Sequence, residues 1–288
     1  MRIDSHQHFW RYDRQAFDWI PPVSALASDH LPAHLKPVLK QAGIDGCIAV
    51  QARQIDAETL WLTALAKENP WILGVVGWID LRLQDIEQRL EMWAGLTSIV
   101  GYRHIVQGEP ADDFLLGDAF VRGVRAVLAR GLSYDILVFP RQAVHVPRFA
   151  DLVDADPARR GRLILDHGAK PDIAGGGWRP WADAVAEIAR TPGLYCKLSG
   201  LVTEADHTRW SVDDISRYLD HLFECFGPER LLFGSDWPVC KLAADYGRVH
   251  ALIADFVTSS CPDHEVAIFG GNAARAYPLA AASPVSTA

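Results

Sequence analysis

The sharpest chemical signal in this sequence is His6-Gln7-His8. Residues two apart on an extended strand point to the same side, so both imidazoles can face one point. Neutral imidazole is a common metal ligand. An isolated H-x-H is more often a pair of surface histidines. Here it ends the first apolar strand and has Asp4 beside it, which favours a site. His167 closes the run Leu163-Ile164-Leu165-Asp166, and Gly168 then opens a turn. Asp236 follows Leu231-Leu232-Phe233-Gly234-Ser235 and precedes Trp237-Pro238, which argues against a plain helix cap. A carboxylate at such a strand end can hold a metal, deprotonate water, or do both.

Other residues are candidates to read a substrate. Arg103-His104 stands at the end of another apolar run, where it would bind substrate oxygens or pair with a neighbouring acid. Lys197 lies inside Tyr195-Cys196-Lys197-Leu198, where a charge is costly unless paired; it either forms a salt bridge inside the fold or serves the substrate. His30, in the long loop after the first strand, is a candidate to reach over the site as a lid group, with an exposed loop histidine as an equally good reading. Of the ten tryptophans, Trp10, Trp178 and Trp237 fall near strand ends or loops. There an indole can pack on the apolar face of a sugar ring. Trp61, Trp71 and Trp93 are better explained by packing of helices on a sheet.

These side chains need elements to hold them. Short apolar runs predict strands at 2–6, 46–51, 73–80, 100–105, 133–138, 163–167, 194–198 and 231–234. Several lack period-two alternation, as expected of strands buried on both faces. Helix-period stretches lie between them, at 57–68, 84–93, 118–129, 144–155, 180–189 and 211–226. Asp56 is a candidate cap for the first of these. Ser211 with Asp214 resembles a capping box, and Gly227-Pro228 stops the last helix. Strand–helix alternation repeated eight times predicts a parallel sheet closed into a distorted (β/α)8 barrel, one domain over 1–279. An open doubly wound sheet usually carries a Gly-rich loop after its first strand, and here Ser5-His6-Gln7-His8 occupies that place. In a barrel the strand C-termini carry the active site, which would gather His6, His8, His167 and Asp236. The Pro-rich stretch 21–37 reads as a lid, 175–178 as a mobile loop, and 280–288 as a flexible tail.

The bulk numbers narrow the function. With 288 residues and a formal net charge of -8, the chain has no electrostatic attraction for nucleic acid or anionic membrane. Five cysteines without a C-x-x-C pair read as reduced thiols, and the polar N-terminus lacks a signal-peptide core. The expected location is cytoplasmic and the expected partner a small molecule; assembly into homo-oligomers is left open.

The segments D-S-H-Q-H-F-W at 4–10, D-H-G-A-K-P at 166–171 and F-G-S-D-W-P-V at 233–239 together resemble the amidohydrolase superfamily. More narrowly, they are similar to its sugar-lactone hydrolase branch, with G-Y-R-H at 101–104, K-L-S-G at 197–200 and G-N-A-A-R at 271–275. The resemblance spans nearly the whole chain. It implies a barrel hydrolase in which His6, His8 and Asp236 hold a divalent metal such as zinc, with His167 as a further ligand. Two departures argue against a pair of metals: Arg103-His104 stands where a bridging carboxylated lysine would be, and no histidine ends the fifth strand. Members of the branch work without metal, so a metal requirement is left open. The expected reaction is hydrolysis of an L-fucono- or L-rhamnono-type lactone in carbohydrate catabolism. Asp236 would activate water, Arg103, Lys197 or a metal would face the oxyanion, and Asp236, His167 or His30 would return the proton. A metal-dependent decarboxylase and a 2-pyrone-4,6-dicarboxylate-type lactonase on the same barrel are the alternatives.

Overall fold

A computed structural model describes residues 1–154 and 160–279. Eight parallel strands stand in sequence order: β1 (Ile3–Gln7), β2 (Gly46–Val50), β3 (Ile72–Gly77), β4 (Ile99–His104), β5 (Ser133–Ile136), β6 (Leu163–Leu165), β7 (Tyr195–Leu198) and β8 (Leu231–Phe233). One principal helix follows each: α1 (Pro32–Gln41), α2 (Asp56–Glu68), α3 (Ile86–Met92), α4 (Asp118–Ala129), α5 (Val146–Asp154), α6 (Trp181–Ile188), α7 (Val212–Phe226) and α8 (Tyr246–Ser260). This is the (β/α)8 barrel the alternation predicts. Its distortion shows in the three-residue strands β6 and β8 and in register shifts along β1, β2 and β3.

Burial explains the strand sequences. Every residue of β2 is buried, because helices cover its outer face and other side chains fill the inside. The helices are one-sided: α7 buries Ile215, Tyr218, Leu219, Leu222 and Phe226, a stripe at helical spacing. Inside the barrel, Ile3, Ile48, Val50, Val76, Val100, Ile164 and Leu232 form an apolar floor, closed below by Ala273, Ala276 and Tyr277.

The seam between β1 and β8 is made by the site residues themselves. Asp236 N–H donates to His6 O at 2.8 Å and His8 N–H donates to Trp237 O at 2.7 Å. Asp4 Oδ1 accepts the Ser235 N–H at 2.9 Å. The backbone thus pins the late aspartate to the first-strand histidines.

Several expected boundaries are corrected. Strand β6 ends at Leu165 rather than at 167, and β8 at Phe233, one residue short of the expected 234; His167 and Asp236 lie beyond them in the left-handed region at φ 54 and φ 56. Asp56 does not cap α2: Ile55 is the extended cap residue, and the Asp56 carboxylate pairs with Arg89. The box at α7 forms on its return arm, with Ser211 N–H donating to Asp214 Oδ2 at 2.7 Å. The last third of 21–37 is helix, since Pro32 starts α1, where its missing N–H costs nothing. The overhanging segment is instead 11–29, closed by an antiparallel bridge between Trp10 and His30 and filled by Phe17, Ile20 and Leu26. Ala155 and the tail 280–288 lie outside the described residues. All five cysteines are free thiols. Among the described residues no helix is long and apolar enough to cross a membrane.

Candidate active site

Four predicted side chains meet at the C-terminal mouth of the barrel. Asp236 Oδ1 lies 3.3 Å from His8 Nε2, 3.8 Å from His6 Nε2 and 4.0 Å from His167 Nε2. His6 and His8 reach it together because they stand two apart on β1, as the spacing predicts. His167 and Asp236 reach it through their left-handed turns. For non-glycine residues this conformation costs about 1–3 kcal/mol and tends to collect at functional sites.

The hydrogen bonds around the imidazoles define what the cluster lacks. His8 Nδ1 lies 2.8 Å from the Val50 carbonyl oxygen, which only accepts, so Nδ1 carries the hydrogen. His8 Nε2 then turns a lone pair toward an Asp236 oxygen and toward His6 Nε2 at 3.3 Å. Facing acceptors need a cation between them, either a proton or a metal ion. His6, His167 and Asp236 each offer one ligand atom, all within 4.8 Å of one another; His8 stands outside that group but places Nε2 3.3 Å from Asp236 Oδ1. Imidazoles with a carboxylate suit a divalent ion such as zinc.

Electrostatics sets the protonation states. Burial pushes His167 down to about 4 against the pull of Asp236 and Asp166, so the ring is neutral at neutral pH. Burial also lowers His6 well below the ordinary value, helped by Lys197 and His167. For Asp236, burial would raise the carboxyl, but the imidazoles of His167, His8 and His6 that face it outweigh this and keep the group ionised. His167 Nδ1 is held by Ser199 Oγ at 2.8 Å.

Arg103 completes the mouth. Its Nη1 donates to Asp166 Oδ2 at 3.0 Å and stands 3.3 Å from His6 Nε2, while Nη2 donates to Gln51 O. Lys197 lies one level lower, fully buried between Asp135 and Asp166. The paired alternative left open for it is therefore the one realised.

The other predicted residues are not brought together there. His104 points outward, since neighbours on a strand face opposite sides. It is spent on Glu109 at 2.7 Å and stacks on Phe114. Trp178 packs on Trp181, Tyr218 and His221, because its loop folds back onto α6 and α7. His30 lies edge-on between Trp10 and Trp237. Both His30 and Trp237 line a neighbouring cavity of about 840 Å³ rather than the one at the barrel mouth.

The cavity at the barrel mouth has a volume of about 370 Å³ and is lined by His8, Arg103, His167 and Asp236, with Trp10, Trp19, Leu137 and Val239 as an apolar wall. Gln107 and Lys170 also reach it. Trp19, Lys170, Asp166, Asp135 and Ser199 were not singled out from the sequence. The two aspartates had a readable signal: a lysine in an apolar strand demands buried acids, and Asp135 and Asp166 stand in or beside such strands. Trp19 had none, since its position depends on the fold of the 11–29 segment.

Comparison with known proteins is consistent with this geometry. The amidohydrolase family model matches residues 3–279. An L-fucono-1,5-lactonase of Burkholderia multivorans is 42% identical over 291 residues, covering 97% of this chain and 96% of that protein. A second L-fucono-1,5-lactonase, from Burkholderia ambifaria, is 34% identical, covering 96% of this chain and 95% of its own. A crystal structure of an amidohydrolase from Burkholderia multivorans with bound zinc superposes with a TM-score of 0.92 at 41% identity, covering 97% of this chain and 100% of that one.

Proposed function

The chain belongs to the amidohydrolase family, and on that premise we propose that it is a lactonase opening sugar-acid lactones of the L-fucono or L-rhamnono type to aldonic acids. The observation that carries this reading is one cavity holding an ionised carboxylate, Asp236, opposite a fixed guanidinium, Arg103. Ester hydrolysis needs a base for water and a positive partner for the developing oxyanion.

In this reading Asp236 takes a proton from water, and the hydroxide attacks the ring carbonyl. Arg103 Nη1 faces the negative charge as it develops, preorganised by Asp166 and Gln51, so little reorganisation is needed during reaction. The C–O bond to the ring oxygen then breaks, and Asp236 returns its proton to that oxygen. His167, neutral at neutral pH, is a poor donor for this step and serves to place Asp236. A divalent ion on His6, His8, His167 and Asp236 would supply Lewis-acid polarisation of the carbonyl and a more acidic water.

The cavity is suited to a sugar ring. Trp10 and Trp19 offer aromatic faces to its apolar side, and Gln107, Lys170 and Arg103 offer hydrogen bonds to its oxygens. A dicarboxylate would call for several converging arginines, whereas Arg103 is the one arginine lining the cavity among the described residues. Segment 11–29, which brings Trp19 to the cavity, acts as the lid. The reduced thiols and acidic surface favour a cytoplasmic enzyme of carbohydrate catabolism. A pH-indicator screen of aldonolactones tests this, because hydrolysis releases acid. Turnover of 6-deoxy sugar lactones is expected, and failure to turn over any aldonolactone, with or without added zinc, refutes the assignment.

A further inference from the structure

A second set of ligand-type atoms lies beneath the mouth. His6, Asp135 and Asp166 each contribute one, all within 4.8 Å of one another, and all three residues are fully buried. Two carboxylates and an imidazole converging in a dry interior form a place for a cation. A side chain already puts one there. Lys197 Nζ lies 2.5 Å from Asp135 Oδ2, 2.9 Å from Asp166 Oδ1 and 3.1 Å from His6 Nδ1. An ammonium only donates: Asp135 Oδ2 accepts from it and Asp166 Oδ1 pairs with it in charge, while His6 Nδ1, 3.3 Å from Asp166 Oδ1, keeps its hydrogen when Nε2 ligates an ion at the mouth. The acids are also held from their far sides. Tyr277 Oη donates to the Asp135 carboxylate at 2.9 Å, and Arg103 holds Asp166 Oδ2. The two carboxylates balance Lys197 and Arg103 in charge.

We propose that Lys197 is a positioning residue whose ammonium occupies the place of a second metal ion. It limits the protein to one divalent ion, at the mouth, and it fixes the His6 ring with Nε2 toward Asp236. Removing the ammonium without filling its space opens a cation site on Asp135, Asp166 and His6 Nδ1, the Nδ1 proton being released to solvent as the second ion binds. This inference concerns His6 and its surroundings and does not depend on which lactone is the substrate.

The test is the zinc content of the full-length wild type, Lys197→Ala and Lys197→Leu after dialysis against a low concentration of zinc, read with thermal melting with and without the metal. Alanine leaves the space empty; leucine fills it without charge or ligand atoms. The alanine variant is expected to retain one equivalent more than the wild type and to be stabilised more by zinc, while the leucine variant gains none. For the leucine variant, affinity for the mouth ion is expected to fall about 10–100-fold, the usual effect of removing a group that orients a ligand. Should the alanine variant fold only poorly, added zinc is expected to restore it. The proposal is overturned if alanine gains no zinc and no zinc-dependent stability, if leucine gains zinc too, if leucine leaves the mouth affinity unchanged, or if the wild type itself retains two equivalents. Each result is read without a lactone, so failure here leaves the lactonase reading standing, and failure of lactone hydrolysis leaves the zinc count standing.

Discussion

Replacing Gly200 by alanine tests whether the placement of His167 matters, without removing any polar atom from the site. Gly200 has φ +69, and a Cβ added there would stand 2.6 Å from His167 Nδ1 and 2.7 Å from its Cγ. The imidazole would have to retreat by roughly 0.8 Å to reach ordinary contact at 3.4 Å. Retreat also strains its 2.8 Å hydrogen bond to Ser199 Oγ. Misplacement of about 1 Å in a catalytic constellation costs about 100-fold in rate, so kcat/KM of Gly200→Ala is expected to fall by that order. A matched control separates this from backbone strain: Gly193 has φ +70, and an added Cβ there meets nothing within 4 Å. Left-handed backbone costs an L-residue about 1–2 kcal/mol, and each kcal/mol lowers Tm by about 2–4 °C in a chain of this class. Both variants should therefore melt a few degrees low, and only Gly200→Ala should lose kcat/KM in the pH-indicator assay. Equal kcat/KM in the two variants would refute the reasoning.

Arg103→Met removes the fixed cation at the oxyanion and is expected to lower kcat about 10²–10³-fold; Arg103→Lys should recover only part of this, because lysine cannot hold Asp166 and Gln51 in a fork. A loss under tenfold for the methionine variant would shift that role elsewhere. Chelation is expected to lower the wild-type rate without abolishing it, and to abolish it in Arg103→Met, as a steady-state assay with and without chelator would read; equal sensitivity of both proteins would contradict a shared oxyanion role. Because burial holds His167 down to about 4, and Asp236 stays ionised, kcat/KM should be flat as pH falls from neutrality and drop only near that value. An acid limb centred near the ordinary histidine value of 6.5 would contradict the buried, neutral ring.

The architecture was legible because period, burial and chain order all pointed to it. All eight strands and the helices between them are present, and 118–129 matches α4 at both ends. The mouth cluster was legible for a local reason: H-x-H on a strand fixes two side chains to one face, and two strand ends supply the rest. What failed depended on direction or on distant packing. His104 was expected at the site with Arg103, although alternation along β4 sends it outward. Trp178 stands near His167 in sequence, but its loop turns back onto α6 and α7. His30 and Trp237 sit behind Trp10, a relation set by the tertiary path of segment 11–29 and by no local pattern. Lys197 was recognised as needing a partner, yet which acids supply it follows from strand register across β5, β6 and β7.

The central claim is that the Asp236 carboxylate activates the water that opens the lactone. Its most direct test is kcat of Asp236→Asn on the best aldonolactone, beside the wild type, with Tm and zinc content measured on the same samples. The account predicts a folded barrel with turnover lower by about 10²–10⁴-fold, the range expected for loss of a general base. A folded Asp236→Asn protein that hydrolyses the lactone at near the wild-type rate would contradict it.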